Sequence, residues 1–289
     1  SYMVGSTLNF APSAKYDQDD QFLLYEADEY DRNFLAFHPW LSLITFVSYD
    51  HSDIFATEAE YQEAFLKFES QSEHLFGPHA NLHHAELLAD KHPDVVLMSA
   101  KELMLPGEAR RLDATLAIKA VQRILESLGR EVNYAEIIEA INQFPGVGRR
   151  FECLADGLYS DYAHHPEEIR ATINVALEEA KRTQKKGVVI LYQPHQNIRQ
   201  HEFFDEYQDI FHGIKKLYWL PTYLSREDPK LNILTPSDFI GSLDNPEIGT
   251  PVELDDTLFA KLRQDLADNY LVILMSAGDA DPWLRQKFL

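Results

Sequence analysis

Cysteine is almost missing from this 289-residue chain, with Cys153 the only one. A single thiol excludes an intrachain disulfide and a zinc site built from several cysteines, and it suits the reducing cytoplasm, where we expect the protein. Cys153 itself reads as small buried filler rather than a nucleophile. Positive charge is scarce too: 26 Lys and Arg stand against 47 Asp and Glu, a formal net charge of −21. So acidic a surface repels phosphate backbones and speaks against nucleic-acid binding. Any anionic ligand then needs a local basic cluster, a helix N-terminus or a metal ion. No apolar run reaches the ~18 residues of a membrane span, and no basic start precedes a short apolar stretch as in a signal peptide. The first residue is Ser1 and not Met, so we expect upstream residues to have been removed, by trimming or by cleavage of a tag.

What the chain does have is apolar content of 45%, enough for two cores at ~150 residues per domain. Strand-like runs alternate with helical stretches, the pattern of α/β domains with largely parallel sheets. Phe22 to Tyr25 and Leu41 to Val47 are strand candidates, and Tyr61, Ala64, Phe65 and Phe68 mark a helix from Glu58 to Phe68. Longer helical spacing runs from Leu112 to Leu128, followed by a short helix from Tyr134 to Ile141. Pro145 to Phe151 (PGVGRRF) breaks the pattern, and we divide the chain there into 1–150 and 151–289. Beyond it we expect a strand within Phe151 to Tyr159, a helix from Pro166 to Lys181, and a central strand from Gly187 to Tyr192. A helix from Glu202 to Phe211, a strand from Lys216 to Leu220, a helix from Asp256 to Ala267, a strand from Leu271 to Met275 and a short closing helix complete the series. Between Ser70 and Leu105 there are histidines at 74, 79, 83, 84 and 92, in no metal-ligand spacing, and one short strand candidate, Val95 to Met98.

Three clusters carry chemistry. EADEYDR, Glu26 to Arg32, follows a strand candidate, where α/β proteins place ligands, and its carboxylates suit a hard cation such as Mg²⁺. The plainer reading is an acidic first turn of a helix. YDHSDIF, Tyr49 to Phe55, also follows a strand and could converge on the same ion, or serve as a helix cap. The third joins DYAHHPEE, Asp161 to Glu168, with YQPHQNIRQH, Tyr192 to His201. Its histidines can bind anions or move protons near neutral pH, and Arg199 can fork onto a carboxylate or phosphate. Arg149 and Arg150 stand at the domain junction, either reaching a ligand or forming a solvated linker.

These segments, with the opening GSTLNF and the closing AGDADP, occur in the order and approximate spacing of the Mur ligases. The chain resembles that family over most of its length, and especially the members that join L-alanine to UDP-N-acetylmuramate. The resemblance implies an α/β architecture of two domains: a truncated P-loop-type central domain lacking its phosphate loop, and a Rossmann-like C-terminal domain. It implies ATP and Mg²⁺ as cofactors, an acyl-phosphate intermediate, and UDP-N-acetylmuramate and L-alanine as partners, with neither nucleic acid nor membrane. By position, Glu26 and His51 match metal ligands. Arg150 and Asp161 match nucleotide contacts, and Arg110 or Arg111 is a candidate to stack on adenine. Tyr162, His164, His195 and Arg199 match residues facing the acyl acceptor and the amino acid, with His164, His195 and Arg199 as the catalytic set.

Two departures stand out. The Gly-rich phosphate loop of the family is not found, and by spacing it belongs shortly upstream of Ser1, so this chain alone is expected to be inactive. Where the family reads PGRHNxxN, this chain reads PGEARRLD, and Gln196 replaces the arginine that commonly follows QPH. Two further readings follow: a ligase that reattaches a recycled tripeptide, and a catalytically dead relative that binds nucleotide or a partner.

Overall fold

A computed structural model describes residues 1–8, 10–51, 54–77, 98–99, 101–225 and 227–289. The chain divides into two compact units, Ser1–Pro145 and Gly146–Leu289. Among the described residues, no helix is long and apolar enough to cross a membrane.

In the first unit, β1 (Tyr2–Met3) pairs antiparallel with β2 (Ala14–Lys15) and parallel with β3 (Leu24–Tyr25). A separate parallel pair joins β4 (Leu41–Leu43) to β5 (His74–Phe76). Both strand candidates are therefore shorter than their apolar runs. Leu23 and Leu24 lie exposed, because this small sheet covers only a few ladder positions. Helix α1 (Glu58–Gln71) starts at Thr57, whose hydroxyl accepts the Glu60 N–H, satisfying one orphan donor. Tyr61, Ala64, Phe65 and Phe68 recur at helical spacing on one face and are buried with Phe34, Ile44, Val47, Phe55 and Leu75. Helix α2 (Glu108–Ser127) and the Asn133-capped α3 (Tyr134–Asn142) enclose a smaller cluster of Leu103, Ala114 and Ile118. The expected strand at Val95 to Met98 lies outside the described residues except for Met98, as do His79, His83, His84 and His92.

The second unit is a doubly wound α/β layer structure. Its strands are β6 (Glu152–Ala155), β7 (Leu158–Asp161), β8 (Val188–Gln193), β9 (Lys216–Trp219), β10 (Gly249–Pro251) and β11 (Leu271–Ser276), in the order β10-β9-β8-β11-β7-β6. All pairs are parallel except β6–β7. Val188, Ile190 and Tyr192 face one core and Val189 and Leu191 the other, the period of two expected of a strand buried on both faces. Helices α4 (Pro166–Arg182) and α6 (Pro236–Ser242) cover the first face; α7 (Asp256–Ala267) and α8 (Ala280–Phe288) cover the second.

Three expectations need correction here. The run from Phe151 to Tyr159 is a hairpin, closed by Asp156-Gly157 with Gly157 at φ +76°, the left-handed geometry a tight two-residue turn requires. Cys153 is not buried: it is exposed on β6, the outer strand of the sheet. The helix expected from Glu202 to Phe211 is instead a short α5 (Asn197–Glu202) and a 3₁₀ turn at Phe204–Tyr207. Tertiary packing prevails over propensity in that stretch. Tyr207 and Phe211 turn onto Trp219, and Trp219 stacks on Phe239 at 5.0 Å.

Candidate active-site residues

In the first unit the loops after β3 and β4 come together. The His51 ring meets Tyr30 edge to face at 5.1 Å, and its Nε2 lies 3.6 Å from Glu29 Oε1 and 4.0 Å from Asp50 Oδ2. Arg32 covers the Phe55 ring at 4.7 Å. His51 adopts φ +59°, and Asp31 and Arg32 are also left-handed, conformations that cost energy outside glycine and tend to gather at functional sites. The His51 carbonyl accepts the N–H groups of Ile54 and Phe55, which fixes the turn. Glu26 points elsewhere: its carboxylate accepts the Gly5 N–H at 2.7 Å. Burial, reinforced by the charges of Glu29 and Asp50, pushes the nearby Tyr61 hydroxyl far above its ordinary range. Asp53 lies outside the described residues. Among the described residues no group of three or more His, Cys, Asp or Glu is arranged to hold a metal ion by itself. Glu29 and Asp50 bring two carboxylates beside His51, oxygen donors of the kind a hard cation takes from a protein when phosphate oxygens and water fill the rest of its shell. Arg110 sits in the first turn of α2, after Gly107 at φ +85°, while Arg111 is tied back to the Leu105 carbonyl at 3.0 Å.

In the second unit, β8, β11 and β7 lie side by side in that order, and the loops at their carboxyl ends carry the candidate residues. Open parallel sheets place ligands there. Asp161 ends β7. Its carboxylate accepts the N–H groups of Phe151 at 2.7 Å and Ala163 at 2.8 Å, and the Thr172 hydroxyl at 3.2 Å. Burial raises its pKa, against the pull of those amides and of Arg150. Tyr162 follows, with the guanidinium of Arg149 at 4.6 Å and that of Arg150 at 5.5 Å from its ring centre. His164 Nδ1 lies 3.0 Å from the Tyr162 carbonyl and 3.3 Å from Glu168 Oε2. A carbonyl only accepts, so Nδ1 carries the hydrogen and Nε2 is the basic nitrogen of the neutral ring. Burial works to raise the Glu168 pKa, but His164, the His164 and His165 amides and Arg150 outweigh it and hold the group below the usual carboxylate range.

His164 and His195 meet at 5.7 Å with their rings at 81°. The sequence placed them on separate loops, and the parallel strands bring them together. His195 is followed by Gln196 at φ +65° and by α5, on which Arg199 is buried. The Arg199 charge reaches the buried hydroxyls of Tyr192 and Tyr207.

Sequence reasoning missed the residues that tie these loops together. Gln193 Oε1 accepts the Ser276 hydroxyl at 2.7 Å and the Ala280 N–H at 3.0 Å, while its Nε2 donates to Asp279 at 2.7 Å. Arg149 donates to the Ser276 carbonyl at 2.6 Å. Gln193 and Asp279 are 86 positions apart, and only the closing AGDADP motif hinted that the second belonged here.

No family model matches the chain. A UDP-N-acetylmuramate–L-alanine ligase of Lactobacillus acidophilus is 28% identical over 96% of this chain and 66% of its own length. The chain thus spans just under two thirds of the curated relatives it matches. The crystal structure of a UDP-N-acetylmuramate–alanine ligase from Thermotoga maritima superposes with a TM-score of 0.68 at 20% identity, covering 98% of this chain and 66% of that one. A bifunctional folylpolyglutamate/dihydrofolate synthase from Yersinia pestis, solved with AMPPNP and Mn, superposes with a TM-score of 0.57 at 14% identity, over 89% of this chain and 63% of that one. The chain resembles the Mur ligases in sequence over nearly all of its length, and its fold is that of their central and C-terminal domains.

Proposed function

We propose that this chain is the central and C-terminal part of an ATP-dependent ligase that joins L-alanine to the carboxylate of UDP-N-acetylmuramate through an acyl phosphate, and that it is inactive without an upstream phosphate loop. The observation that carries the reading is the His164–His195 pair, which meets across β11 from the carboxyl ends of β7 and β8. Its loops also carry Asp161 and Tyr162, with Arg149 and Arg150 over the Tyr162 ring, in the order that the Mur-ligase resemblance gives these motifs. When bound, MgATP supplies the phosphoryl group and offsets the charge that develops as the carboxylate is activated. In the first unit Glu29, Asp50 and His51 are the donors available to the metal, with Glu26 turned to the Gly5 amide, and Arg110 is the cation available to adenine; in the second unit Arg150 is the cation available to a phosphate.

This chain's own residues then have separable tasks. Asp161 ties down the Phe151 and Ala163 amides, so that the Arg149–Arg150 turn and the His164 loop keep one geometry. His164, with its hydrogen on Nδ1, offers Nε2 to take the proton that the incoming ammonium must lose before its amine can attack. His195 orients the amino acid, and Arg199 provides a fixed cation for its carboxylate. Attack of the amine forms the amide and releases inorganic phosphate, with one proton lost from nitrogen.

The test is product formation by the full gene-encoded protein, followed by mass spectrometry, with L-alanine and a tripeptide offered side by side. Addition of alanine supports the reading. Preferential addition of the tripeptide assigns the protein to recycling. Nucleotide binding without product identifies a non-catalytic relative, the reading favoured by Glu108, Ala109, Arg110 and Asp113 where adenine contacts are expected.

A further inference from the structure

A loop that the family motifs leave aside closes on His195. Tyr223 lies in the connection between β9 and α6 and forms a parallel bridge with His195. The Tyr223 N–H donates to the Pro194 carbonyl at 2.8 Å, and the Gln196 N–H donates to the Tyr223 carbonyl at 2.9 Å. These bonds bracket His195 and hold Gln196 in its left-handed conformation. The rings of His195 and Tyr223 lie within 9° of parallel at 5.7 Å, an offset stack. Beneath them Gly278 leaves no spare room, since a methyl group there would come within 2.7 Å of Tyr223 Cβ and Cγ.

The same loop is anchored at two further points. Glu227 accepts the Asn197 N–H at 2.9 Å and the Ser225 N–H at 2.7 Å. The Asn197 side chain donates to the Asn232 carbonyl at 3.0 Å and accepts the Leu234 N–H at 3.0 Å. Tyr223 is thus held by backbone bonds and anchors, yet is 38% exposed. A residue placed only for packing would be covered.

We propose that Tyr223 is a positioning residue: its ring holds the His195 imidazole in one plane, nearly perpendicular to His164, and so fixes the direction from which His195 meets the incoming amino acid. The amino-acid part rests on the ligase reading above. A ring free to turn must be ordered when substrate binds, and that cost falls alike on ground state and transition state, so it shows in KM rather than kcat.

The experiment compares Tyr223→Leu and Tyr223→Phe with the unsubstituted protein, with two readouts. In the first, the histidine ring ¹³C–¹H resonances of this chain are recorded, with His195 assigned from a His195→Gln spectrum. Leu removes the ring-current displacement of the His195 signals, and Phe keeps it. In the second, the full gene-encoded protein is assayed. Leu raises the KM for L-alanine by about tenfold with kcat within about twofold, and Phe restores KM. If Leu leaves the His195 signals in place, or moves them with no change in KM, the positioning role is overturned. If the unsubstituted protein shows no turnover while the signals respond as described, the ligase reading fails and the ring-holding role stands.

Discussion

Replacing Gly278 with alanine tests the close packing behind the His195 corner. The added methyl would stand 2.6 Å from Gln193 Oε1 and 2.7 Å from Tyr223 Cβ and Cγ, roughly 1 Å inside the ~3.5 Å of a comfortable contact. Something has to move, and neither neighbour can do so freely. Gln193 Oε1 accepts from Ser276 and Ala280, so swinging it away strands the buried Ala280 N–H, a loss of about 1–3 kcal/mol. Tyr223 is tied by its backbone to Pro194 and Gln196, so shifting it strains the His195 corner, at an overpacking cost of about 1–3 kcal/mol. Together they predict a destabilisation of about 2–6 kcal/mol in the second unit. Urea unfolding followed by fluorescence of the buried Trp219 reads it out. A double-mutant cycle with Gln193→Ala, which removes the obstructing oxygen, gives a combined loss smaller than the sum of the two. Unfolding of Gly278→Ala within about 0.5 kcal/mol of the unsubstituted protein would refute the reasoning.

Two further predictions concern buried carboxylates. Burial raises Glu69 on α1 from 4.5 to about 7. The folded state therefore holds a proton that the unfolded chain gives up, and stability contributed here falls as pH rises from 4.5 through about 7. Glu69→Gln, which cannot ionise, gains about 2 kcal/mol at pH 8 after allowance for solvent screening, and little at pH 4; thermal unfolding at the two pH values checks this. Asp161→Asn turns an amide group toward a backbone donor, so one of the Phe151 and Ala163 N–H groups loses its acceptor. The expected loss is about 1–3 kcal/mol of stability, with faster hydrogen exchange at the amide that loses its acceptor.

Much of the second unit was legible in the chain itself. Pro166 after two histidines marks the start of α4, and the GVVILY run marks a strand buried on both faces. Other features hid for definable reasons. The Asp156-Gly157 turn signal was present but was read through as one strand. Phe203 to Phe211 had helical composition, yet its rings are drawn onto Trp219 and Phe239. The His164–His195 pair was legible because both residues follow strands by one to three positions. The Gln193–Ser276–Asp279 network was not, because β11 is inserted between β8 and β7 and periodicity carries no information on strand order. The identity of the acid beside His51, Glu29, depends on left-handed residues at Asp31 and Arg32, which nothing in their residue types announces.

The most direct test of the account is phosphate release by the full gene-encoded protein with ATP, Mg²⁺ and UDP-N-acetylmuramate, before and after L-alanine is added. Release that begins with alanine, and is lost in His164→Gln and His195→Gln, is the predicted result. A folded protein that binds nucleotide but releases no phosphate with either alanine or the tripeptide would contradict the ligase reading.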